Sequence, residues 1–141
     1  MIVGLLCAIV LAIAAPVTSI TPGSVPLKFD TELDSFPPGT VILNQYVLGG
    51  WLLWRHPSLA PVVDGRTEAY PVSYLSGYKR AVEVGNGWQD FVNVTGARWA
   101  LLKDGSPLAT ALKERLSWKT ISTDAGYVLL QEPQPPKDRG R

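Results

Sequence analysis

Residues 44–70 read NQYVLGGWLLWRHPSLAPVVDGRTEAY. The apolar residues Val41, Ile42 and Leu43 lead into Asn44 and form a short run with the character of a fully buried strand. Gly49-Gly50 then opens a helix over 46–55, which His56-Pro57 stops because proline cannot continue the backbone ladder. The apolar face of that helix is assigned to Val47, Gly50 or Trp51, and Trp54. Lacking a Cβ, Gly49 and Gly50 allow the helix to approach a sheet closely. A second strand, Val62-Val63, stops at Asp64-Gly65-Arg66. Strand, helix and strand together predict a parallel pair with a right-handed crossover, with polar residues where each strand ends.

Before this unit, residues 29–36 (FDTELDSF) place Phe29, Leu33 and Phe36 at i, i+4 and i+7, one face of a two-turn helix. Asp30, Glu32 and Asp34 read there as a solvated helix face rather than a metal cluster. After it, residues 71–84 form a helix with Val72, Leu75, Tyr78 and Val82 as its buried stripe. Residues 88–94 add a short helix through Trp88 and Phe91. Residues 98–102 (RWALL) are a third strand. Ser106 and Pro107 are a good N-cap and a good first position for a further helix bearing Leu108, Ala111 and Leu112. Residues 118–123 and 127–131 pair across Asp124-Ala125-Gly126 as a hairpin. Asn93-Val94-Thr95 matches a glycosylation sequon, a triplet common by chance.

The expected fold is therefore α/β. A transmembrane helix precedes a two-layer or three-layer sandwich with a mostly parallel sheet of about five strands and a C-terminal antiparallel hairpin. The first strand is placed between the second and third, with the hairpin beyond. The chain divides into a transmembrane helix or signal-anchor over 1–20, a linker over 21–27, the α/β domain over 28–132 and a proline-rich disordered tail over 133–141.

Net charge is +1, so no basic face argues for nucleic acid. One cysteine, Cys7, allows neither a disulfide within this sequence nor a cysteine-based metal site, and one histidine, His56, excludes a two-histidine site. No cofactor and no metal are expected. Residues 2–20 are almost wholly apolar and reach the short end of a bilayer-spanning length. Ala12-Ile13-Ala14 would suit signal cleavage, but no Lys or Arg precedes the run, as a signal peptide requires. The lipid bilayer is thus the first expected partner, through residues 2–20.

In an open parallel sheet, ligands bind outside the carboxyl ends of strands, near a topological switch. Asn44 and the Asp64–Arg66 turn lie at such ends. Asp64 is the candidate acceptor for hydroxyl groups, Arg66 the clamp for an anion and Trp51 a stacking wall for a sugar ring. Each has a plain structural alternative: Asp64 as a turn former, Arg66 as its ion-pair partner and Trp51 as core. There is no G-x-G-x-x-G, no G-K-[ST] and no G-x-S-x-G, and His56 belongs to no credible catalytic set.

Four segments carry a family resemblance: Phe36-Pro37-Pro38-Gly39-Thr40-Val41-Ile42-Leu43; Gly49-Gly50-Trp51-Leu52-Leu53-Trp54; Pro61-Val62-Val63-Asp64-Gly65-Arg66 with Tyr70; and Trp118 with Asp124. With the apolar N-terminal run, they resemble the C-terminal extracytoplasmic domain of bacterial multi-spanning membrane proteins similar to GT-C-type glycosyltransferases. Those enzymes use polyprenyl-phosphate sugar donors. The resemblance implies an extracytoplasmic domain, a multi-spanning membrane protein as partner and a polyprenyl-linked sugar or glycan acceptor as ligand. In that family the catalytic acid lies in an early loop to which nothing here corresponds. The resemblance therefore implies an accessory or acceptor-recognition domain, a fragment or split part that is not catalytic alone.

Overall fold

The computed structural model describes residues 25–134. Five strands form one mixed sheet in the order β2-β1-β3-β5-β4. They are β1 (Val41–Asn44), β2 (Ala60–Pro61), β3 (Trp99–Lys103), β4 (Lys119–Asp124) and β5 (Tyr127–Gln131). β1 pairs in parallel with both β2 and β3, whereas β3–β5 and β5–β4 are antiparallel. The first strand lies between the second and third, as expected. The sheet is mixed, however, not mostly parallel. β5 returns from the expected hairpin onto β3 as a second antiparallel pair, so two of the four strand pairings are antiparallel.

Side-chain alternation sends each strand's apolar residues to two opposite cores. Ile42, Leu101 and Leu129 face a layer made by a 3₁₀ turn (Leu27–Phe29), α1 (Asp30–Asp34) and α2 (Gly49–Arg55), through Phe29, Leu33, Leu48 and Leu52. Leu43, Ala100, Leu102, Val128 and Leu130 face α3 (Val72–Val82), α4 (Trp88–Thr95) and α5 (Pro107–Leu116). The result is three layers. The connection from β1 to β2 crosses one face through α2. The connection from β2 to β3 moves the opposite way across β1 and crosses the other face through α3 and α4. A constant crossover hand requires that reversal.

Two helix faces differ from expectation. Val47 and Trp54 are exposed, while Leu48, Gly49 and Leu52 are buried. The cause is Gly49: a Cβ there would lie 2.2 Å from the Val63 carbonyl oxygen, so the bare Cα must face the chain after β2. That contact fixes the helix rotation and turns Gly50 and Trp54 outward, while Val47 is exposed in the 3₁₀ turn (Tyr46–Leu48) that precedes the helix. In α3 the expected Leu75, Tyr78 and Val82 do pack on the core, joined by Gly77 and Ala81, and of the expected four only Val72 is exposed. Gly77 abuts the Phe91 ring of α4, which sets that helix's rotation.

The acidic face of α1 is also corrected. Asp30 and Asp34 stand four residues apart, on one side of the helix. Both reach the buried His56 ring, at 3.0 Å from Nε2 and 2.8 Å from Nδ1 respectively. Glu32 accepts a hydrogen bond from Ser122 Oγ at 3.1 Å. Among the described residues no group of three acidic, histidine or cysteine side chains has the arrangement of a metal site, and no helix is long and apolar enough to cross a membrane. The expected membrane helix over 1–20 lies outside the described residues, as do most of the linker and the tail from residue 135 on.

Candidate functional site

The second strand was expected at Val62-Val63, but the ladder with β1 ends earlier. Ala60 N–H donates to Thr40 O and Val62 N–H to Ile42 O, both at 2.9 Å. Pro61 occupies the outermost strand, where its missing N–H deprives no neighbour. Val62, Val63 and Asp64 are nevertheless buried, and buried main-chain polar groups need partners. Side chains supply them.

The Asn44 carboxamide takes over where the ladder stops. Its Oδ1 accepts from Val63 N–H at 3.2 Å, and its Nδ2 donates to Val63 O at 2.7 Å and to Gln45 O at 3.0 Å. One side-chain amide thereby stands in for a missing peptide group. The Gly49 Cα closes on the same Val63 carbonyl from the α2 side. Tyr74 Oη donates to Val62 O at 2.8 Å, and Tyr78 Oη donates to Asn44 O at 3.0 Å. Burial pushes both phenols above their ordinary range.

Asp64 holds the next turn. Its Oδ1 accepts from Arg66 N–H at 2.8 Å and from Arg66 Nε at 3.2 Å. Its Oδ2 accepts from Arg66 Nη2 at 2.8 Å and from Tyr70 Oη at 3.0 Å. The Arg66 hydrogen bonds outweigh the opposing effect of burial and hold the Asp64 carboxyl down at about 2. A carboxylate offers about four lone-pair positions, and these four bonds fill them. Tyr70 stacks on Tyr74, ring centroids 5.5 Å apart, tying this turn back to the tyrosine that holds Val62. Burial and, after it, the Asp64 hydrogen bond raise the Tyr70 phenol.

The structure thus brings Asn44, Asp64 and Arg66 together around Val63. The Arg66 side chain stays largely exposed while paired with the buried Asp64. Trp51 belongs to a different cluster. It packs in the α1–α2 layer with its ring edge-on to His56, centroids 5.2 Å apart at 75°, and its Nε1 is buried with no partner among the described residues.

The switch point itself lies between the carboxyl ends of β1 and β3, and Gln45 bridges it. Gln45 N–H donates to Leu101 O at 2.8 Å, and its Oε1 accepts from Lys103 N–H at 3.3 Å. A groove of about 520 Å³ between α3 and α4 is lined by Tyr74, Arg80, Asp90 and Phe91, and includes none of the four candidate residues.

His56, which the sequence places in no catalytic set, sits in a polar cluster that the sequence does not show. The ring is buried, and each nitrogen faces a carboxylate of α1. Arg55 forms an ion pair with the same Asp30 and, by its hydrogen bond, lowers that carboxyl's pKa. With both nitrogens occupied, the imidazole has none free to act as a general base. The only trace of it in the sequence is the i, i+4 spacing of Asp30 and Asp34, which says nothing of a histidine 22 and 26 residues later. Compared with protein-family models, curated proteins and solved structures, the chain gives no match.

Proposed function

We propose that this chain is a non-catalytic accessory domain on the outer side of a bacterial membrane, tethered through residues 2–20. It serves a multi-spanning glycosyltransferase-like protein that uses polyprenyl-phosphate sugars, and it works by contact rather than by chemistry. The observation that carries the non-catalytic part is the use of the strand-end polar groups. Asn44, Gln45 and Asp64 spend their hydrogen bonds on the chain's own backbone and on Arg66 and Tyr70. A catalytic acid or base needs a free proton-transfer position, and Asp64, the one carboxyl among them, keeps none. The tether and the outer location rest on the apolar run and on the resemblance of residues 36–70. Within this reading Arg66 is the side chain left to meet an anionic group of a glycan acceptor or of the partner.

The test expresses the full chain with a C-terminal tag in a bacterial host, separates membranes and treats intact spheroplasts with protease. A membrane-bound tag digested from outside is the expected result. A soluble periplasmic protein shortened by about the apolar run overturns the tether and favours a secreted binding protein or enzyme.

A further inference from the structure

We infer that the outward stripe of α2 is a docking surface for the headgroup region of a lipid bilayer, seated there when residues 2–20 anchor the chain. This rests on the tethered reading above. Trp54 is 78% exposed and Val47 is 68% exposed. Gly50, where a Cβ would meet nothing within 4 Å among the described residues, and Trp54 stand four residues apart on one side of α2, and Val47 in the 3₁₀ turn that leads into the helix (Tyr46–Leu48) is exposed just before them. Their exposure is forced. The contact between Gly49 and Val63 fixes the helix rotation, so the chain cannot bury Trp54 without losing that contact.

Position supplies the occupant. The Arg55–Asp30 ion pair holds the end of α2 beside α1, three residues after Leu27, which is itself half exposed. Between the apolar run and Leu27 lie residues 21–26, and six residues span at most about 20 Å. A chain anchored through 2–20 therefore keeps Leu27, where the α1–α2 layer begins, within about that distance of the bilayer surface, and the Arg55–Asp30 pair keeps the end of α2 beside α1. Tryptophan concentrates at membrane–water boundaries because its large ring is apolar while its N–H stays hydrated. Arg55 is committed to Asp30, so the stripe brings apolar surface and little net charge. Neutral lipid is the surface it fits.

The experiment reconstitutes the full chain in phosphatidylcholine vesicles whose acyl chains are brominated just below the headgroups, and compares Trp54→Phe with the unaltered chain. Residues 2–20 contain no tryptophan, so quenching reports on the folded domain. Because Trp54 is exposed, Trp54→Phe should keep the fold, which circular dichroism checks. The expected result is bromine quenching that falls by about half or more in Trp54→Phe, with both chains co-sedimenting with vesicles. Equal quenching in both chains with co-sedimentation intact overturns the docking surface and leaves the tether standing. So does Trp54 shielded from aqueous iodide without bromine quenching, because the chain's own apolar run then covers the stripe. Failure to co-sediment overturns tether and docking together.

Discussion

The two halves of the sheet are held by different means. β3, β5 and β4 are joined by main chain: β3 and β5 share five aligned residue pairs, and a two-residue turn links β4 to β5. β1 and β2 share two aligned pairs. Beyond Pro61 one main-chain bond to β1 remains, Val62 N–H to Ile42 O, and side chains do the rest: Tyr74 holds Val62, Asn44 holds Val63 with the bare Gly49 Cα closing on it, and Arg66 and Tyr70 hold Asp64. A ladder of many similar bonds tolerates the loss of one. A clasp of single, dissimilar contacts does not, because each removed group leaves a buried polar partner unsatisfied. The polar residues that resemble a ligand site in the sequence are therefore those on which the parallel half depends.

The sharpest way to break this contrast is at Gly49. Gly49→Ala places a Cβ against the Val63 carbonyl and Asp64 Cα, both main chain, so the backbone must move. A loss of about 3 kcal/mol in chemical denaturation is expected. Gly50→Ala, in open space on the exposed side of the same helix, should instead stabilise by about 0.5–1 kcal/mol. Two changes in one dipeptide with opposite signs would establish that α2 is oriented by Gly49. Equal effects would remove that explanation of the helix face.

Asn44→Ala comes next. It strips both partners from Val63, and an expected cost of about 2–4 kcal/mol follows from two buried main-chain groups left unpaired. Amide hydrogen exchange checks where the cost falls. Protection should drop at Val62 and Val63 while Val128, Leu129 and Leu130 keep theirs. A uniform drop along both halves would mean that the sheet responds as one ladder.

This division also explains what could be read from the sequence. Element types were legible because the local signals agree with the tertiary structure. Ile42 and Leu43 read as buried strand, Phe29 and Leu33 as one helix face, and Ser106-Pro107 as a helix start whose Ser106 Oγ accepts from Ala109 N–H. Helix rotation was not legible, because it is set by a single long-range contact. Periodicity groups Val47, Gly50 and Trp54 together but is silent on whether that side faces the sheet. That Asp64 would be brought near Asn44 was legible, but the end of β2 at Pro61 and the saturation of Asp64 were not. That saturation requires Tyr70 to fold back across a 3₁₀ turn (Thr67–Ala69). The His56 cluster was hidden for the same reason: its partners lie in another helix, 22 and 26 residues earlier.

Asp64 sharpens the comparison through pH. Its carboxyl is held at about 2 in the folded protein, below its ordinary value of 3.8. Between those values the unfolded chain binds more protons than the folded one. The Asp64 contribution is thus complete above the ordinary carboxylate range and is lost as pH falls through about 2. Asp64→Asn should cost about 1–2 kcal/mol at neutral pH by weakening the Arg66 and Tyr70 bonds. Its denaturation midpoint should also fall less steeply with acid, so that the two curves converge at low pH. A residual slope is expected from Asp30, which the Arg55 hydrogen bond also lowers and which the variant retains. Parallel curves would show that Asp64 is not the acid-sensitive member of the clasp.

The smallest effect is expected in the antiparallel half, and with the opposite sign. Asp124 pairs directly with Tyr127, leaving Ala125 and Gly126 as a two-residue turn with φ of +50° and +79°. Both values are positive, the type I′ geometry whose twist matches the flanking strands. Glycine meets that demand at the second position. Alanine meets it poorly at the first, because its Cβ crowds the following carbonyl in the left-handed region. Asparagine tolerates that region and is favoured there. Ala125→Asn should therefore raise stability by about 0.5 kcal/mol, read as a higher denaturant midpoint with unchanged slope. The gain should leave the local opening of Val62 and Val63 as it was, since the turn touches none of the groups that hold them. A gain that spread to those two amides would mean that the halves of the sheet are coupled more tightly than their separate fastenings imply.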